Sequence, residues 1–204
     1  MEPKEAPRLC LASMSPRRRE LLRQIGVRPL VAAPNIDEAV APGEAAADYV
    51  VRMARTKALS IDQHTVGLPV LAADTVVLID ELILGKPASA AEGVAMLERL
   101  AGRAHAVLSA VALAVKGELA FRLSASEVRF RALTRAECRA YWDTGEPHDK
   151  AGGYAVQGRG AVFIESLNGS YSGVMGLPLY ETAELLRAAG VPYWLGGAPR
   201  ERLP

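Results

Sequence analysis

Four basic and two acidic residues in the first ninety positions stand where a charge calls for a reason. A helix is expected from Ala45 to about Gln63. Turning about 100° per residue from Val50, Lys57 falls near −20°, inside the apolar stripe between Met53 and Ile61. Its stem either snorkels past that stripe or carries the ammonium into a cleft. Arg52 and Arg55 fall on the opposite face and read as solvated charge. Arg17 and Arg18 flank the apolar face of an earlier helix opened by Ser15-Pro16, in the first turn, where the helix dipole is unfavourable to cations. Such a placement makes sense around a bound anion, with the Ser13 and Ser15 hydroxyls just upstream. An ion pair with Glu20 or another carboxylate is the alternative.

Asp74 follows the apolar run Val70–Ala73 and is expected at the end of a buried strand, a common ligand position in α/β folds. A carboxylate buried there needs a metal, a cation or hydrogen bonds. The plainer reading of Asp74-Thr75 is a cap or turn. Glu38, in an Ala/Pro-rich loop, could be solvated charge, and Lys86 lies between Gly85 and Pro87. Asp149-Lys150, beside a glycine-rich stretch, could form a local pair.

Taken together, these residues suit polyphosphate cleavage. Cations neutralise phosphate oxygens, and a hard divalent metal takes carboxylate and phosphate ligands, here with Glu38 and Asp74 as protein donors. The known phosphate motifs fail. Gly85-Lys86-Pro87 lacks the preceding glycine and following Ser/Thr of a Walker loop, and Gly158-Arg159-Gly160 opens no helix after a strand.

Strands and helices must alternate to position these groups. Strands are expected at Leu9–Ala12, Leu30–Ala33 and Pro69–Ala73. Val76–Ile79 and Leu82–Leu84 read as a hairpin, and His105–Val115 and Glu118–Phe130 as a longer one turning at Lys116-Gly117. Val162–Leu167 completes the set. Capping patterns Ser89…Glu92 and Thr134…Glu137 open helices to Leu100 and about Asp143, and a last helix spans Leu179–Ala189. The fold class is α/β: a mixed, partly antiparallel twisted sheet with flanking helices. Residues 1–204 read as one domain or two small lobes sharing a core, with 192–204 a tail.

With Lys+Arg 24 against Asp+Glu 23, a net charge of +1 argues against a coat for nucleic acid. No apolar run approaches the roughly 18 residues that span a bilayer, and the N-terminus lacks a signal-peptide core. Two distant cysteines and three histidines offer no zinc spacing and fit reduced thiols in a cytoplasmic protein.

The segments Ser13-Met14-Ser15-Pro16-Arg17-Arg18, Ile36-Asp37-Glu38, Ala73-Asp74-Thr75-Val76-Val77 and Gly85-Lys86-Pro87 resemble, in order, those of the Maf nucleoside triphosphate pyrophosphatases. So do Tyr49…Arg52-Met53-Ala54…Lys57-Ala58, Asp149-Lys150-Ala151-Gly152-Gly153-Tyr154…Gln157-Gly158 and Gly169-Ser170-Tyr171-Ser172…Gly176-Leu177-Pro178-Leu179. The last two look like the dTTP/UTP branch rather than the 7-methyl-GTP branch. Met14 and Ser109 depart from the pattern, Ser109 standing where threonine is expected. The resemblance implies a fold like the inosine triphosphate pyrophosphatases, with a cleft between two lobes. It also implies hydrolysis to monophosphate and pyrophosphate with Mg²⁺ or Mn²⁺, and suggests a homodimer. Asp74 matches the proton acceptor, while Arg17, Thr75 and Gln157 match residues linked to substrate choice. Ser13, Arg17, Arg18, Lys57 and Lys86 are expected to bind phosphate, Glu38 and Asp74 the metal. A nucleotide-binding regulator of septum formation without turnover, and a nucleic-acid binder using the arginines, are the rival readings.

Overall fold

The computed structural model describes residues 7–194. β1 (Cys10–Ala12), α1 (Pro16–Gln24) and β2 (Leu30–Ala32) form a crossover unit, with β1 and β2 parallel. α2 (Ala46–Leu59) and the single turn α3 (Gln63–Val66) lead to the long β3 (Val70–Ile79), which turns tightly into β4 (Leu82–Leu84). α4 (Ala90–Leu100) precedes the hairpin of β5 (Ala104–Val115) and β6 (Glu118–Phe130). α5 (Arg135–Asp143) is followed by three short 3₁₀ turns, β7 (Ile164–Asn168), α6 (Tyr171–Met175) and α7 (Leu179–Ala188). The sheet runs β2-β1-β3-β5-β6-β7, with β4 also on β3. Among the described residues, β2–β1 and β1–β3 are the parallel pairs and the rest are antiparallel, so the sheet is mixed as expected.

Alternation along β3 divides the core. Val70, Ala72 and Val76 face α2 with Val50, Met53, Ala54 and Ala58. The alanines at 54, 58, 72, 110, 112 and 114 let that helix sit close on the sheet. Leu71 and Ala73 face the other way, onto Leu21 and Leu22 of α1 and Leu185 and Leu186 of α7. Farther along, Val77 and Ile79 meet α4, α5 and the rings of Phe130, Tyr154 and Phe163.

Several expectations need correction. Pro69–Ala73 and Val76–Ile79 are one strand, so Asp74 lies in its middle and not at its end, and Thr75 caps nothing. The pairing with β5 explains this: it runs unbroken from Val70↔Ala114 to Leu78↔Ala106 and carries Asp74 through as a strand residue. The second helix stops at Leu59, which places Lys57 in its last turn. The strand expected from Val162 begins at Ile164, because Arg159–Phe163 winds as 3₁₀ turns. The helical turn α6 had no expected counterpart. Of the expected tail, Pro192–Trp194 is described, with Trp194 N–H donating to the Ile25 carbonyl; the remainder lies outside the described residues. Among the described residues, no helix is long and apolar enough to cross a membrane.

Candidate active site

The site begins as a gap in the sheet. One edge of β3 pairs with β1 as far as Leu71 and with β4 from Val77. Among the described residues, no strand covers Ala72–Val76 on that edge. A cleft of about 670 Å³ opens there, a size suited to a small-molecule ligand. Side chains from both faces of β3 reach it: Asp74 from the α2 face, Thr75 from the opposite one.

On the α2 face, the Lys57 ammonium donates to Asp74 Oδ1 at 2.7 Å and lies 3.0 Å from Glu38 Oε1. Lys57 and Asp74 are buried, while the Glu38 side chain is half exposed. The stem therefore enters the cleft rather than snorkelling. Glu38 sits on a loop clamped to α2: the Tyr49 hydroxyl donates to the Glu38 carbonyl, and Arg52 donates to the Ala39 carbonyl and to both Glu44 carboxylate oxygens. Burial and the charges of Asp74 and Glu38 push the Tyr49 phenol up to about 12. The Arg52 hydrogen bond holds the Glu44 carboxyl down at about 2. Arg52, expected to be solvated, is thus the strut of the loop, and Arg55 lies over the Phe121 ring.

On the other face, Arg18 Nε donates to the Gly176 carbonyl at 2.8 Å, and its Nη1 to Ser13 Oγ at 3.2 Å. Burial pulls the Arg18 guanidinium below its usual range, opposed by Asp74 and reinforced by Arg17. Glu20 pairs with Arg23, not with Arg17 or Arg18. Arg17 instead lies 3.5 Å from Asp149 Oδ2, and Lys150 takes the other Asp149 oxygen. Burial would raise the Asp149 carboxyl, yet the Lys150 hydrogen bond and charge, with Arg17, bring it below normal. The Asp149-Lys150 local pair is present, and it also reaches across the cleft to α1. Thr75 Oγ1 is 2.8 Å from Ser109 Oγ, which donates to the Gly173 carbonyl at 2.6 Å.

Lys86 and Gln157 close the far wall. The Lys86 segment is tied down by Gly152 N–H donating to the Gly85 carbonyl. Gly152 has φ +68°, and a Cβ there would meet Val77 Cγ2 at 2.9 Å, so both space and backbone demand glycine. The Gln157 loop hangs on Glu146 and Tyr141. The Tyr141 hydroxyl accepts from Ala155 N–H and donates to Glu146, whose carboxylate accepts from Arg159 N–H and Gly160 N–H. A Cβ on Gly158 would lie 2.2 Å from Glu146 Oε2.

All nine expected site residues therefore line one cleft: Ser13, Arg17 and Arg18 from α1 and its entry, Glu38 and Lys57, Asp74 and Thr75, then Lys86 and Gln157. Glu38 and Asp74 bring hard oxygen donors to one point, now bridged by Lys57. Among the described residues no group of three or more His, Cys, Asp or Glu could hold a metal ion. The pair fits a hard cation that draws its remaining ligands from a bound polyphosphate and water. Sequence reading named Tyr49 and Ser109 without a supporting role and passed over Glu146; the structure puts Tyr49 under Glu38, Glu146 under the Gln157 loop and Ser109 under Thr75. Only the pairing Thr75↔Ser109 across β3 and β5 brings the last two hydroxyls together.

A family model described as Maf-like protein matches residues 8–189. A dTTP/UTP pyrophosphatase of Alkalilimnicola ehrlichii is 51% identical over 199 residues, covering 95% of this chain and 98% of that protein. One of Bordetella avium is 54% identical over 194 residues, covering 91% and 96%. One of Saccharophagus degradans is 49% identical over 195 residues, covering 94% and 93%. With the matched residues spanning both walls of the cleft, the chain belongs to the Maf family.

Proposed function

We propose that this chain is a nucleoside triphosphate pyrophosphatase that hydrolyses dTTP and UTP to the monophosphate and pyrophosphate. The observation that carries this reading is the convergence of four cations and two carboxylates on one cleft. Relatives of near-equal length bearing that activity in their names support it.

In the reaction, a water oxygen bonds to the α-phosphorus and the bond from that phosphorus to the bridging oxygen breaks. Pyrophosphate leaves with the bond's electron pair. Asp74 takes the water's proton. Arg17, Arg18 and Lys86 bind the triphosphate, with Ser13 and the start of α1 adding hydrogen-bond donors. Their charge offsets the negative charge that grows on the leaving pyrophosphate. Glu38 and Asp74 are the residues that would hold a divalent cation, Mg²⁺ or Mn²⁺, which would supply further neutralisation of phosphate charge. Lys57 orients both carboxylates and neutralises part of their charge. Gln157 offers an amide N–H and a carbonyl oxygen to the uracil or thymine edge.

Pyrophosphate release from a panel of nucleoside triphosphates, with and without Mg²⁺ or Mn²⁺, tests the reading. Metal-dependent turnover of dTTP and UTP supports it. Binding without turnover, or affinity for oligonucleotides alone, overturns it. Replacing Gln157 with glutamate, whose carboxylate cannot donate to the base's carbonyl oxygen, should lower kcat/KM for dTTP and UTP relative to CTP; an unchanged ranking excludes Gln157 as a base contact.

A further inference from the structure

The Thr75–Ser109 contact has a direction. Ser109 is 1% exposed, and its Oγ lies 2.6 Å from the Gly173 carbonyl oxygen. A carbonyl has no proton to give, so the single Ser109 proton goes to Gly173. Ser109 Oγ can then only accept from Thr75 Oγ1, 2.8 Å away. That consumes the single Thr75 proton. Toward the cleft, Thr75 offers lone pairs alone. The relay is anchored at its far end because the same Gly173 carbonyl accepts from Gly176 N–H at 2.9 Å, which closes α6.

This fixed polarity matters because Gln157 lacks it. Gln157 is exposed, and its carboxamide can present either end to a base. By turning over it could satisfy cytosine as well as uracil. A hydroxyl wired to a carbonyl cannot turn over. Uracil and thymine carry an N3–H donor where cytosine carries a lone pair, so an acceptor-only group receives the first two and repels the third.

We propose that Ser109 is a positioning residue that makes Thr75 an obligate acceptor, and that this polarity selects pyrimidines with an N3–H over cytosine. The inference rests on the dTTP/UTP reading above and says how that site tells its substrates apart.

Steady-state kcat/KM for UTP and CTP in the wild type and in Ser109→Ala, Ser109→Thr and Thr75→Val provides the test. Wild-type turnover of UTP with a preference over CTP tests the underlying reading; its absence defeats that reading whatever the variants do. Ser109→Ala frees the Thr75 proton to meet the cytosine lone pair, so the UTP-to-CTP preference should fall about tenfold or more, chiefly by a gain on CTP. Ser109→Thr keeps the relay and should keep the preference. Thr75→Val removes the acceptor and should erode the preference through a loss on UTP. Ser109→Ala with the wild-type preference overturns the proposal. So does a uniform fall on both nucleotides, which would mean that Thr75 accepts from a sugar hydroxyl. Should Ser109→Ala fail to fold, Ser109→Cys, whose thiol is a weak acceptor, carries the same expectations.

Discussion

Replacing Lys57 with methionine keeps the stem's bulk and removes the charge on which two carboxylates converge. The Lys57 and Asp74 side chains are 6% and 10% exposed, and their contact is 2.7 Å. Removing one partner of a buried pair costs about 3–5 kcal/mol, because the other charge is left uncompensated. The Glu38 contact adds little, since that carboxylate is 54% exposed and screened by water. Some of the loss is recovered because the lysine charge itself no longer has to be desolvated, which leaves about 3 kcal/mol. For a chain of 204 residues that is a fall in Tm of about 6–12 °C. Differential scanning calorimetry of Lys57→Met, Asp74→Asn and the double variant isolates the interaction. The double variant should be more stable than Lys57→Met alone, with a coupling of about 2 kcal/mol or more. Mn²⁺ without nucleotide should raise the Tm of Lys57→Met more than that of the wild type, since no ammonium competes for the carboxylates. A Lys57→Met melt within about 2 °C of wild type, or strictly additive costs, would refute the reasoning.

Asp74→Asn should still reach the native fold, with a lower Tm from the broken pair, and lose turnover by orders of magnitude, read by pyrophosphate release; near-normal turnover contradicts its role as proton acceptor. Glu44→Gln breaks the bidentate contact with Arg52 and should loosen the loop that carries Glu38. Faster amide exchange across 35–45 and a lower kcat/KM are expected; protection equal to wild type would count against the clamp. His105 is buried, and burial draws its imidazole down to about 4 from a usual 6.5, so the fold holds it uncharged. The unfolded chain therefore binds the extra proton between those values. Stability is whole above pH 6.5, falls as the pH drops toward 4, and loses about 3 kcal/mol from this group in all. Urea titrations of His105→Gln should show a shallower loss over that window, and a slope equal to wild type would refute the assignment. Gly158→Ala pushes a methyl into Glu146 and should raise KM for UTP through displacement of the Gln157 loop, with a modest change in Tm.

Local chemistry explains what could be read from the chain. The Thr134…Glu137 capping box forms in full, and Ser89 accepts from Glu92 N–H as its spacing implies, although Glu92 bonds Ala88 N–H rather than completing its box. Lys57 was legible as out of place because helical periodicity is a property of one segment. Its partners were not, since Asp74 comes from β3 and Glu38 from a loop, and no local rule measures the distance between them. The error over Asp74 has the same origin. An aspartate after four apolar residues reads as a terminus, and only β5, thirty-odd residues later, keeps the strand going. Arg52 read as solvated because its partner Glu44 lies off the helix, where periodicity gives no warning. The gap beside Ala72–Val76 exists only because β1 and β4 stop short of each other along β3.

Hydrolysis of UTP in ¹⁸O-labelled water, with products resolved by mass spectrometry, tests the central claim most directly. The account predicts UMP carrying one labelled oxygen beside unlabelled pyrophosphate, lost in Asp74→Asn. Label in pyrophosphate, or release of UDP and inorganic phosphate, would contradict attack at the α-phosphorus.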